Sequence, residues 1–118
     1  MANILIAEDE VRIASFVSKG LKQAGYQTQV ATNGRSAIEM ALSGQFDLIL
    51  LDINLPEVDG WAILVKMRSQ FSKTPIIVVT ALDGTAEHRQ SLNLGASDYI
   101  TKPFRFSQLL ASVRCHLQ

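Results

Sequence analysis

The stretch 47-DLILLD-52 decides the fold. It is an unbroken apolar run that ends in an aspartate. It shows neither the polar alternation of a half-wet strand nor the stripe of a surface helix, and it fits a strand covered on both faces. The stretches 3-NILIA-7 and 76-IIVVT-80 read the same way. Strands of this kind belong to parallel sheets, whose connections run through helices. The intervening segments carry helical patterns. Residues 10–24 place Val11, Ala14, Val17, Leu21 and Ala24 at helical spacing and stop at Gly25. Residues 34–43 carry Ala37, Ile38, Ala41 and Leu42 ahead of Gly44, and residues 59–70 carry Ile63, Leu64 and Met67. Residues 85–94 end at Leu94-Gly95, and residues 106–117 carry Leu109, Leu110 and Val113. Two weaker stretches, 26-YQTQVA-31 and 98-DYIT-101, predict edge strands. In the first, Tyr26, Thr28 and Val30 alternate with glutamine, which leaves one face wet. A strand-helix pair repeated five times predicts an α/β domain: a five-stranded, doubly wound parallel sheet with helices on both faces and right-handed crossovers.

Composition narrows the function. A chain of 118 residues suits one domain able to bury roughly two-thirds of its unfolded surface. Eleven basic residues balance eleven acidic ones, so net charge points to neither nucleic acid nor a membrane surface. Cys115 is the only cysteine, which excludes an internal disulfide and fits a reducing cytosol. The start, MANILIAEDE, lacks the basic region of a signal peptide. No apolar run approaches the ~20 residues of a membrane span.

In a doubly wound sheet, ligands sit beyond the carboxyl ends of the strands, where the strand order reverses. The first strand ends at Glu8-Asp9, the third at Asp52, the fourth at Thr80 and the fifth at Thr101-Lys102-Pro103. In the order 2-1-3-4-5 the first and third strands adjoin, and Glu8, Asp9 and Asp52 converge. Asp9 alone reads equally as the N-cap of the first helix. Three carboxylates together need more. At ~4 Å two of them repel by about 4 kcal/mol at an effective dielectric near 20. They must be protonated, splayed apart or neutralised by a cation. An all-oxygen donor set with few protein ligands suits Mg²⁺. Lys102 supplies a second positive charge, and Pro103, which admits a cis bond, fixes how the chain leaves the strand. A carboxylate in this setting can attack phosphorus to give an aspartyl phosphate. That chemistry calls for a metal, a cation and a hydroxyl donor, which Mg²⁺, Lys102 and Thr80 would supply. Asp52 is the best acceptor because its strand is central, and Asn54 offers the metal a backbone carbonyl. No glycine-rich nucleotide loop is present. His88 and His116 lie in helical segments without metal-ligand spacing and are expected at the surface.

The sequence resembles the receiver (response regulatory) domain of bacterial two-component response regulators over essentially its whole length. The likeness rests on 6-IAEDE-10, 48-LILLDINLPEVDGW-61, 78-VVTA-81 and 95-GASDYITKPF-104, in that order. It implies a flavodoxin-like sheet of order 2-1-3-4-5. It implies Asp52 as phosphoacceptor, Asp9 as a direct Mg²⁺ ligand with Glu8 acting largely through water, and the Asn54 carbonyl as a third ligand. Thr80 would contact the phosphoryl group, Lys102 would pair with it, and Tyr99 would change rotamer when Thr80 moves. The implied donor is the phosphohistidine of a sensor histidine kinase or of a phosphotransfer protein. The domain would catalyse only its own phosphorylation and dephosphorylation, and would signal through residues 85–117.

Residues 95–104 are most similar to receivers that precede a winged-helix DNA-binding domain. Residues 1–118 are therefore expected to be a single cytoplasmic receiver domain, the N-terminal part of a longer regulator. It would touch no membrane, reach DNA only through the further domain, and pair as a homodimer through its 85–117 face. Ser97 stands where an aspartate is frequent and Gln90 where an arginine is frequent, a departure from the family's charged pairing pattern. Leu82 and Asn54 flank the expected path of attacking water and are expected to influence phosphate lifetime. Three rivals remain. An aspartyl-phosphate phosphatase resembles D-x-D-G-T, but 52-DIN-54 puts an asparagine where the general acid belongs. A receiver-like module that works without phosphorylation fits poorly with the intact set Glu8, Asp9, Asp52, Thr80 and Lys102. A flavodoxin-like cofactor binder would have to place a phosphate among acidic strand ends.

Overall fold

Five parallel strands form one sheet in the order β2-β1-β3-β4-β5. The computed structural model describes residues 2–56, 58–70, 73–81 and 85–117, the side chains of 85–88 excepted. Along the chain run β1 (Asn3–Ala7), α1 (Val11–Gln23), β2 (Gln27–Ala31), α2 (Gly34–Leu42) and β3 (Leu48–Asp52). There follow α3 (Gly60–Gln70), β4 (Ile76–Thr80), α4 (Thr85–Asn93), β5 (Asp98–Thr101) and α5 (Phe106–Leu117). All ten elements, the edge strands β2 and β5 among them, agree with the sequence pattern. Leu82 and the His88 side chain lie outside the described residues.

Alternation along each strand sorts the core into two layers. Leu5, Ala7, Ile49, Leu51, Ile76 and Val78 pack with Ala37 and Ala41 of α2 and Ile63, Leu64 and Met67 of α3. Ile4, Ile6, Leu48, Leu50, Ile77 and Val79 pack with Val17 and Leu21 of α1 and Leu109 and Val113 of α5. Every residue of β3 and β4 is buried, which explains their unbroken apolar runs. Each fully buried leucine or isoleucine contributes about 1.5–3 kcal/mol.

Three expected core residues face water instead. Val11 is 74% exposed, Leu42 48% and Val30 38%. Val11 is the first residue of α1, and Val30 lies on the edge strand β2. The buried stripe of α1 is Ala14, Val17 and Leu21. Leu42 is the last residue of α2. His116 is half-buried rather than at the surface, with Nδ1 2.8 Å from the Ser112 carbonyl oxygen. Cys115 is exposed on α5.

Two glycines are fixed by close approach. A Cβ at Gly60 would lie 2.0 Å from the Ile53 carbonyl oxygen, so α3 can start against the turn after β3 only with glycine there. Gly95, at φ 108°, ends the α4 turn with the Arg68 side chain against it. Arg68 Nε donates to the Gly95 carbonyl at 2.9 Å and Nη1 to the Thr74 carbonyl at 2.8 Å, tying α3 to the segments that lead into β4 and β5.

Candidate functional site

A parallel sheet delivers all its strand ends to one rim, and the ladder positions what lies just beyond them. The Glu8 N–H donates to the Ala31 carbonyl at 2.9 Å, extending the β1–β2 pairing by one residue. The Lys102 N–H donates to the Thr80 carbonyl at 2.8 Å, continuing the β4–β5 pairing. The Lys102-Pro103 peptide is cis. These contacts hold the Glu8 and Lys102 side chains over the tip of β3, where Asp52 is only 3% exposed.

Lys102 Nζ lies 2.7 Å from Glu8 Oε1, 3.0 Å from Asp52 Oδ2 and 3.7 Å from Glu10 Oε1. The other Asp52 oxygen, Oδ1, accepts from the Asn54 N–H at 2.9 Å. Glu8 Oε2 accepts from the Glu10 N–H at 3.1 Å. Asn54 Nδ2 donates to Thr80 Oγ1 at 3.3 Å, and Thr80 is fully buried. One carboxylate oxygen from each of Glu8, Asp9 and Asp52 can be chosen so that all three lie within 4.8 Å of one another.

Electrostatics expose a shortage of positive charge. Burial pushes the Glu8 carboxyl up to about 7, and the Asp52 charge adds to that shift. Lys102 and the Glu10 amide pull the other way without cancelling it. Burial works against the Lys102 ammonium too, yet hydrogen bonds and charges from Glu8 and Asp52 outweigh it and hold its pKa above the ordinary value. One lysine thus serves two buried carboxylates, with Asp9 exposed beside them. Crowded oxygen donors in charge excess fit a hard divalent cation.

The structure brings together Glu8, Asp9, Asp52, Asn54, Thr80 and Lys102, as the strand ends predict. The helix-cap alternative for Asp9 fails, because Glu10 occupies the N-cap of α1. Tyr99 is buried in the layer with Tyr99's neighbour Ala96 and the α2 and α3 side chains, paired in register with Val78, two positions short of the rim. Two contacts escape the sequence: the approach of Glu10 to Lys102 and the amide of Asn54 on Thr80. The third acid of 8-EDE-10 was the available signal for the first. Among the described residues, no helix is long and apolar enough to cross a membrane.

Fold and site define a class: flavodoxin-like α/β domains with an acidic rim answered by a lysine. The model of the response regulator receiver domain matches residues 4–114. The chain belongs to this receiver domain family, whose work is phosphorylation-dependent signalling in two-component systems. It is 47% identical to the transcriptional regulatory protein CusR of Escherichia coli (strain K12) over 98% of this chain and 51% of CusR. The chain therefore spans about half the length of the curated relatives it matches. The Francisella response regulator 1452 receiver domain superposes with TM-score 0.94 at 32% identity, covering 99% of this chain and 97% of that one. The response regulator TrrA of Thermotoga maritima, solved in complex with Mg²⁺-BeF, superposes with TM-score 0.90 at 31% identity, covering 99% of this chain and 100% of that one.

Proposed function

We infer that Asp52 accepts a phosphoryl group from the phosphohistidine of a sensor histidine kinase or phosphotransfer protein. The observation that carries this reading is a buried aspartate at the tip of the central strand, 3.0 Å from Lys102 and crowded by two further carboxylates. Asp9, Asp52 and the Asn54 carbonyl would hold Mg²⁺, with Glu8 acting largely through water. The ion supplies charge neutralisation for the incoming phosphoryl oxygens. Lys102 pairs with the same oxygens, and its position on the β4–β5 ladder fixes its approach. The Thr80 hydroxyl donates to the phosphoryl group after leaving Asn54, and Tyr99 repacks as it moves. Two states of the 80–104 region then exchange population, and residues 85–117 carry the difference to a partner, a second copy or an attached effector.

Beyond its own phosphorylation and dephosphorylation the domain turns over no substrate. The similarity to transcriptional regulators supports a DNA-binding domain joined to it, and a cytoplasmic setting suits a kinase-fed switch. Acetyl phosphate with Mg²⁺ should add one phosphoryl group by intact mass. EDTA and Asp52→Asn should each abolish the adduct. An adduct that persists in Asp52→Asn would place the acceptor elsewhere. Sustained turnover of a phosphomonoester would make the protein a phosphatase.

A further inference from the structure

Glu10 is the acid of the rim to which the reading above gives no part. It stands at the N-cap of α1, a position that favours short side chains able to fold back on the helix. Glu10 makes no such capping bond. A helix dipole favours an acid at this end, which accounts for the charge but not for its direction. The side chain turns to the rim instead, with Oε1 3.7 Å from Lys102 Nζ and 60% of its surface exposed. Lys102 is thereby shared among three carboxylates, of which Glu8 and Asp52 are buried and Glu10 faces water.

Glu10 also lines a concavity that shares Lys102 with the rim. This concavity, of about 410 Å³, has Ile13, Phe16, Pro103 and Phe104 in its lining together with Glu10 and Lys102. Phe16 is 54% exposed there. A large donor can fill the apolar walls and bring a cation to Glu10. A small acyl phosphate does neither, and meets a negative charge that Lys102, shared among three carboxylates, only partly offsets.

We propose that Glu10 is a charge filter on phosphodonors, which slows free dianionic small molecules relative to donors whose phosphoryl group arrives with compensating positive charge. The proposal rests on Asp52 as acceptor. In the transfer, an Asp52 oxygen forms a bond to phosphorus, the bond from phosphorus to the leaving group breaks, and the leaving group takes the electron pair. Acetate departs from acetyl phosphate, and ammonia departs from phosphoramidate, whose nitrogen already carries the extra proton. Near neutral pH the first donor is a dianion and the second carries one net negative charge.

Phosphorylation rates of the wild-type domain, Glu10→Gln and Glu10→Asp are measured with both donors and Mg²⁺, at low and high salt, by intact mass. Glu10→Gln should speed acetyl phosphate roughly three- to tenfold at low salt. Phosphoramidate should gain only about the square root of that factor, because repulsion scales with donor charge. High salt should shrink both gains, since an exposed charge is screened. Glu10→Asp, which keeps the charge, should behave as wild type. An equal gain for both donors, or none, overturns the proposal while the acceptor reading stands. A wild-type domain that reacts with neither donor overturns both.

Discussion

Glu8 and Lys102 set the energetics of the resting site. The folded pKa of Glu8, about 7, lies above its ordinary value of 4.5. The folded state therefore holds this proton more tightly than the unfolded chain. The resulting stabilisation is full below pH 4.5 and is lost as pH rises through about 7. Its size is of order 3 kcal/mol. Glu8→Gln is neutral throughout and should lack this slope. Urea unfolding in EDTA at about pH 5 and about pH 8 should show wild type losing stability relative to the variant across that window. Parallel pH curves would mean Glu8 is already ionised in the metal-free domain.

Lys102→Ala should cost about 3 kcal/mol in EDTA, because it strands two buried carboxylates. It should keep Mg²⁺ binding while weakening phosphoryl transfer or the conformational response. A variant unchanged in stability and in transfer would make Lys102 a bystander. At this scale, the convergence of Glu8, Asp9, Asp52, Thr80 and Lys102 was legible because a strand's end fixes where the residues at and just beyond it lie. Glu10 was not. A long side chain at a helix start takes its direction from neighbours that are distant in sequence.

Elements were legible wherever both faces of a strand are covered, as in 48-LILLD-52 and 76-IIVVT-80. Helix phase was read less well. Val11 and Leu42 satisfy helical spacing, yet each is the terminal residue of its helix and is exposed, because spacing alone carries no information about cover at a helix end. Val30 continues a correct alternation on the edge strand β2 and is still 38% exposed. The turns between elements make firmer predictions. Arg68→Ala removes two charged hydrogen bonds to the Gly95 and Thr74 carbonyls and should cost about 2–3 kcal/mol in chemical unfolding. A loss below about 0.5 kcal/mol would show that water replaces the guanidinium. Gly60→Ala drives a Cβ into the Ile53 carbonyl and must shift the turn that carries Asn54. It should lower Mg²⁺ affinity as well as stability, and an unaltered titration would detach that turn from the site.

For the whole molecule, the sheet order places two layers of hydrophobic packing behind a single charged rim. A ligand bound only at that rim stabilises the entire cooperative unit, by about 2.7 kcal/mol at a hundredfold excess over its dissociation constant. Saturating Mg²⁺ should therefore raise the melting temperature of the wild-type domain, and Asp9→Asn or Asp52→Asn should abolish the rise. A rise that survives both would place the ion elsewhere.

The lone thiol of Cys115 offers a further use. It is exposed on α5, and no other cysteine competes with it. One maleimide dye would therefore label the native sequence at a single defined point. The dye would ride on the helix assigned to output, so its emission could follow the switch in real time without any engineered attachment residue.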